Sequence, residues 1–212
     1  MVELGFACVD IQPEQHAVGP TLLVTLRVTE SSGTPIRAVA LRSQVRVEPQ
    51  RRRYSAEEGD RMVDLFGERA QWADSVHPMQ LASLSHMVPG FTDSIDIVLP
   101  LPCTYDMEVA TGKYFGSLDD GEIPLLFLFS GTVFVDGPKG FAVEPVPWHL
   151  EAAYRMPVDV WRRMIDLHFP DQGWIALRRS SIDALRAYAA AEVITSGDLA
   201  VERLLKEAGW PR

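Results

Sequence analysis

A histidine close to a carboxylate is raw material for acid–base or metal chemistry, and the stretch PWHLEAAYRMPVDVWRRMIDLHF (147–169) contains two such pairs. In WHLEAAYRM, Trp148, Leu150, Ala152, Tyr154 and Met156 share one parity, while His149, Glu151 and Arg155 share the other. A strand here turns the aromatic row inward and leaves the polar row in water. His149 and Glu151 then stand about 7 Å apart on one face, close enough for a hydrogen bond through tilt or a water. A solvated polar face is the plainer reading, and a binding or acid–base row is the alternative.

The second pair fails on helical geometry. At about 100° per residue, Trp161, Met164, Ile165 and His168 share one face. Asp166 falls on the side of Asp159, Arg162 and Arg163, so a regular helix keeps Asp166 and His168 from ligating one metal. His168 is expected to be a packed histidine with a ring nitrogen bonded to nearby backbone.

Other stretches resemble sites less. RRR (51–53), with Arg37, Arg42 and Arg46, forms a basic stretch, but Glu57, Glu58, Asp60 and Asp64 follow and can neutralise it. It lacks the interleaved aromatics of single-strand nucleic-acid binders. TGK (111–113) lacks the glycine and the Ser or Thr that a phosphate loop needs, and GxSxG, HExxH and CxxC do not occur. Asp106 and Glu108 share a face if 104–110 is a strand, which surface exposure explains. Asp119, Asp120 and Glu122 sit in a glycine-containing turn with too few further oxygens for calcium.

The elements that must carry these residues read as β first and α last. Thr21–Glu30 alternates Leu22, Leu26 and Val28 with Thr25, Arg27 and Thr29. After the turn cluster SSGTP, residues 36–48 put Val39, Leu41, Val45 and Val47 on one face and Arg42, Gln44 and Arg46 on the other. Two such runs across a short turn predict an antiparallel hairpin. Ser55 and Glu58 form a capping-box pattern, which predicts a helix to about Phe66 closed by Gly67. Residues 68–80 suggest a helical turn. Residues 91–99 alternate again, and 124–135 is apolar on both faces, as a central strand should be. FAVEPV returns from the turn DGPKG, and the prolines at 145 and 147 place it at an edge or end it early. From Pro157, three helical patterns follow, with Ser181 and Ser196 as N-caps and Gly209 as a closing glycine.

The expected fold class is therefore α+β, an antiparallel β-sandwich-like sheet with a small helical insertion at about 55–80 and three C-terminal helices. Residues 1–156 form the β-rich domain, and 157–212 form a helical segment packed on it.

Bulk properties narrow the function classes. The chain has 212 residues, 47% of them hydrophobic and 23% charged, as in ordinary globular proteins. Its formal net charge of −9 argues against nonspecific attraction to nucleic acid or anionic lipid. The cations are mostly arginine, which a GC-rich coding genome explains without a binding role. Cys8 and Cys103 make no metal-like cluster; two buried free thiols are the expectation and a cross-link between them is the alternative. No apolar run approaches the ~20 residues of a membrane helix, and the acidic N-terminus does not read as a signal peptide. The expected compartment is the cytoplasm.

The phrases CTYDMEVATGKYF (103–115), PLLFLFSGTVF (124–134), PWHLEAAYRMPVDVW (147–161) and MIDLHFPDQGWIAL (164–177) carry a resemblance across nearly the whole chain. It resembles an uncharacterised family, mainly actinobacterial and known only as a domain of unknown function. Genes of that family lie near those of high-affinity nickel–iron hydrogenases. The resemblance implies an accessory role in assembling or docking an oxidoreductase and brings no catalytic residues with it. Histidine and cysteine are too sparse to suggest that this chain holds nickel or an iron–sulfur cluster.

The leading expectation is a non-catalytic cytoplasmic accessory protein that binds another protein, without cofactor, metal, nucleic acid or membrane insertion. The expected contact residues are His149, Glu151 and Arg155 on one strand and Arg42 and Arg46 on another. The alternative is a small-ligand-binding protein or hydrolase-like enzyme, with His149 as acid–base and Glu151 orienting it.

Overall fold

Alternating burial sets the strands of this computed structural model, which describes residues 2–103, 111–137, 140–170 and 177–210. Strand β1 (Leu4–Pro13), β2 (Thr21–Glu30) and β5 (Ser94–Pro102) form a three-stranded antiparallel sheet in the order β1-β2-β5. The second sheet has β4 (Met79–Phe91), β3 (Ile36–Val47) and β6 (Glu122–Gly137) in that order. Both β7 (Gly140–Pro145) and β8 (Glu151–Pro157) pair with the free side of β6, β7 at its C-terminal end and β8 at its N-terminal end. The expected α+β, sandwich-like class is the observed one.

Inward residues of both sheets share one core. Val24, Leu26 and Val28 of β2 are fully buried, as are Val39 and Val45 of β3 and Phe127 and Val133 of β6. Phe6 of β1 stacks on Phe129 of β6 with ring centroids 4.2 Å apart, joining the sheets. Gly131 marks the place where β6 exchanges β8 for β7. Its φ of 145° suits glycine, and a Cβ there would collide with the Ala40 carbonyl oxygen.

The expected hairpin between residues 21–30 and 36–48 does not form: β2 and β3 belong to different sheets. The link 31–35 arches between the sheets instead. Glu30, buried at its start, accepts hydrogen bonds from the backbone of Glu3, Ser32 and Thr34, which fixes the arch. Alternation told which face each strand buries, but both inner faces meet the same core, so it could not tell a hairpin from an arch.

The insertion begins with the expected capping box: Glu58 N–H donates to Ser55 Oγ at 3.1 Å and Ser55 N–H donates to Glu58 Oε2 at 3.0 Å. The helix breaks at Met62, giving α1 (Ala56–Arg61) and α2 (Val63–Phe66), because the Met62 backbone (φ −101°, ψ 2°) leaves the helical region. Gly67, at φ 73°, ends α2. A 3₁₀ turn and α3 (Trp72–Ser75) complete the insertion, and α4 (Lys113–Gly116) precedes β6.

Two compact units divide the chain, Met1–Gln172 and Gly173–Arg212. Helix α5 (Val158–His168) belongs with the sheets, and its Trp161 packs on Phe115 with ring centroids 4.4 Å apart. The second unit holds α6 (Arg179–Ala191) and α7 (Gly197–Glu207). Ser196 caps α7 as expected, through Leu199 N–H at 3.2 Å. Ser181 does not cap α6; that helix starts after Arg178, which offers no side-chain cap. Among the described residues, no helix is long and apolar enough to cross a membrane. The expected carboxylate pair Asp106 and Glu108 lies outside the described residues.

Candidate functional site

Residues opposite one another in an antiparallel sheet share a face, so the pairing of the second sheet fixes what its outer surface carries. Arg42 lies between Ser85 of β4 and Ser130 of β6. Gln44 lies between Ser83 and Leu128, and Leu128 is opposite Glu151 of β8. Arg46 lies between Gln80 and Leu126, which faces Ala153, and the next outward residue of β8 is Arg155, opposite Pro124. The structure therefore gathers Arg42, Arg46, Glu151 and Arg155, taken from two separated strands, onto one outer face.

His149 does not join them on a strand. Residues 148–149 form a turn, closed by Leu150 N–H donating to the Pro147 carbonyl at 3.2 Å, and β8 begins only at Glu151. The inward direction expected for the Trp148 row fails at its first member: Trp148 is 88% exposed, and its ring meets His149 edge-on at 5.9 Å. Ala152 and Met156 do turn inward, and Tyr154 is half-buried. Among the described residues, no hydrogen bond joins His149 to Glu151, and both are exposed. His168 is packed, with Nδ1 3.0 Å from the Met164 carbonyl and Nε2 3.2 Å from the Ala17 carbonyl.

The other end of the same outer face is apolar. Ala40 lies in a row with Met87, Thr132 and Pro145, and Ala38 in a row with Pro89, Phe134 and Val143. On the edge strand β7, Phe141 is 77% and Val143 63% exposed. Their exposure was not foreseen. FAVEPV signalled an edge strand, but which of its faces would stay uncovered depends on the packing of the whole sheet. Between the two ends a shallow groove of about 390 Å³ runs past Arg42, Gln44, Ser83, Ser85, Leu128 and Ser130.

A larger cleft, about 890 Å³, opens where the RRR stretch meets the start of β6, and Arg155 reaches its rim. Its charges are mostly closed on one another. Arg52 and Glu58, 7% and 4% exposed, pair at 2.5 Å, and Arg52 also donates to the carbonyls of Asp120 and Glu122. Burial pushes the Glu58 carboxyl up, but N–H donors from Asp119 and Ser55 and the Arg52 guanidinium outweigh it and hold it below the ordinary range. Arg61 pairs with Asp119 at 2.5 Å and Arg155 approaches Glu122 at 3.8 Å. Tyr54, in the cleft wall, meets the hydroxyl of buried Tyr114 at 2.8 Å, and burial pushes the Tyr114 phenol up to about 12. The expected neutralisation of RRR by the following acids thus holds for Arg52, while Arg51 pairs backward with Glu48.

Burial with the nearby Asp10 charge pushes the Cys8 thiol up to about 12, far from the thiolate form at neutral pH, and Cys103 is buried. Among the described residues, no three His, Cys, Asp or Glu side chains converge as metal ligands would.

Comparison with known proteins adds a family. A family model described as "Family of unknown function (DUF6084)" matches residues 1–211. The chain belongs to that family. No curated protein matches it. Among solved structures, β-glucosidase 3B from Thermotoga neapolitana in complex with α-D-glucose aligns with 73% of this chain and 17% of its own, at 11% identity and a TM-score of 0.27. A β-glucosidase from Kluyveromyces marxianus aligns with 73% of this chain and 15% of its own, at 8% identity and a TM-score of 0.28. The chain spans less than a fifth of either enzyme, and at these scores neither alignment carries an argument about fold or activity.

Proposed function

We propose that this member of the DUF6084 family is a non-catalytic accessory protein that docks another protein on the outer face of its five-stranded sheet. One juxtaposition carries the reading: arginines and a glutamate from β3 and β8 share a face with exposed Phe141, Val143 and Met87. Contiguous exposed apolar surface rimmed by polar groups is typical of protein contact sites. An uncovered edge strand such as β7 invites pairing with a further chain. The hydrogenase-neighbourhood resemblance makes a hydrogenase-type oxidoreductase the first partner to test and the cytoplasm the first compartment.

The test is affinity purification from the native host with mass spectrometry, using the intact chain and paired variants. Phe141→Glu with Val143→Glu should abolish recovery of the partner, whereas Arg186→Ala, in the second compact unit, should leave it unchanged. A partner set unaltered by the paired variant, or no protein above background, refutes the proposal. Recovery of hydrogenase subunits by the intact chain and not by the paired variant would support the finer assignment.

A further inference from the structure

We infer that the outer face of β3, from the groove beside Arg42 along the strand to Arg46, receives an extended acidic segment of the partner, with carboxylates four residues apart. The inference rests on the docking reading above and names the chemistry of that surface.

Several arginines of the fold are closed by carboxylates, whereas Arg42 and Arg46 on this outer face are not. Arg27 is closed by Asp96, Arg37 by Asp136, Arg52 by Glu58 and Arg61 by Asp119. Arg42 has no ion pair or hydrogen bond among the described residues, and Arg46 bonds only the neutral Gln44 amide, at 2.9 Å. A chain of net charge −9 thus keeps two guanidiniums open on one face. No carboxylate lines the groove beside Arg42; Gln44, Ser83, Ser85 and Ser130 line it instead. Short neutral side chains leave room above the sheet and offer hydrogen bonds to a peptide backbone.

The spacing selects the conformation of the occupant. Arg42 and Arg46 are four residues apart on a strand, so their Cα atoms stand about 13 Å apart on one face. An extended peptide lying along β3 repeats side chains of one face with the same rise, and carboxylates at i and i+4 meet both guanidiniums. A helix places i and i+4 only about 6 Å apart and cannot span them. Guanidinium is suited to bidentate carboxylate contacts, which gives this match geometric specificity as well as charge. The net negative charge of the rest of the chain disfavours a long polyanion such as a nucleic acid, whose flanking phosphates it would repel.

Fluorescence anisotropy with defined probes tests this. A labelled peptide GTETSTETG carries glutamates four apart, and GTETETSTG has the same composition with glutamates two apart. The first should bind about tenfold more tightly, with affinity falling as salt rises. Arg42→Ala and Arg46→Ala should each weaken it about five- to tenfold, and Arg42→Lys should recover only part of the loss. Circular dichroism verifies that these substitutions leave the fold intact. Equal affinity for the two peptides, undiminished binding by the alanine variants, or no binding of either peptide up to about 1 mM overturns the inference. So does tighter binding of oligothymidine or phosphatidylserine vesicles that the same variants abolish. The two proposals fail separately: partner recovery lost with Phe141→Glu and Val143→Glu but kept with Arg42→Ala and Arg46→Ala sinks the acidic segment alone.

Discussion

Replacing Glu58 with alanine removes three acceptor contacts at once: the Arg52 pair at 2.5 Å, the Asp119 N–H at 3.0 Å and the capping contact to Ser55 N–H at 3.0 Å. Arg52, nearly buried, keeps two carbonyl acceptors, but its Nε is already without a partner among the described residues. Orphaning one side of a buried ion pair costs about 3–5 kcal/mol. Because the pair lines an open cleft whose water can screen the guanidinium, about 3 kcal/mol is the expected loss. That corresponds to a fall in Tm of roughly 6–12 °C for a chain of this size. Urea and thermal unfolding followed by circular dichroism measure it. A second variant, Arg52→Met with Glu58→Leu, separates charge from shape. Removing both charges should bring the loss within about 2 kcal/mol of the parent. The sign with pH is fixed by the lowered Glu58 carboxyl: its stabilisation is present above the ordinary value near 4.5 and fades as pH falls below it. Glu58→Gln should flatten that acid-side slope. An alanine variant within about 0.5 kcal/mol of the parent, or a double variant as damaged as the single one, refutes the reasoning.

Gly131→Ala should destabilise the fold by at least about 2 kcal/mol, since its φ of 145° and the Ala40 carbonyl both exclude a Cβ; a near-neutral urea midpoint would contradict the register of β6. Glu30, held near 2 by the Ser32 hydroxyl and by backbone donors from Glu3, Ser32 and Thr34 despite opposing desolvation, stabilises the arch above the ordinary carboxylate value and loses that contribution as pH falls through about 2. The stability gap between the parent and Glu30→Gln should therefore be flat near neutrality and close on the acid side. Cys8, pushed up to about 12, should react with iodoacetamide at neutral pH far more slowly in the folded than in the urea-unfolded protein; equal rates would show the thiol to be accessible and ordinary.

Much of this fold could be read from alternation, and its failures follow from what alternation omits. Leu22, Leu26 and Val28, or Val39, Leu41, Val45 and Val47, announce a buried face wherever the strand pairs. They do not announce the partner, so β2 and β3 read as a hairpin although a five-residue arch carries the chain to the other sheet. Strands β1 and β4 were not anticipated. In β4 the alternation is diluted by His86 facing inward and Met87 facing outward, opposite to their hydropathies. Trp148 continues the parity of β8 on paper, yet Pro147 and the turn it opens end the strand before that residue.

The candidate site shows the same division more sharply. Arg42 and Arg46 were readable as one outward row, and Glu151 with Arg155 as another, but only β6 makes them neighbours. Leu126 and Leu128, apolar residues in a strand apolar on both faces, stand between the two rows. Leu126 is buried although it lies on the outer face and outside the main core cluster. Its cover must therefore come from neighbouring outward side chains, and the aliphatic stems of long residues such as Arg46 are suited to provide it. If they do, a guanidinium stem held against Leu126 reaches a partner's carboxylate with less rotamer freedom left to lose. Leu126→Ala should then weaken the acidic peptide without removing any charge, while a variant that binds the peptide unchanged would leave Arg46 acting as a freely moving charge.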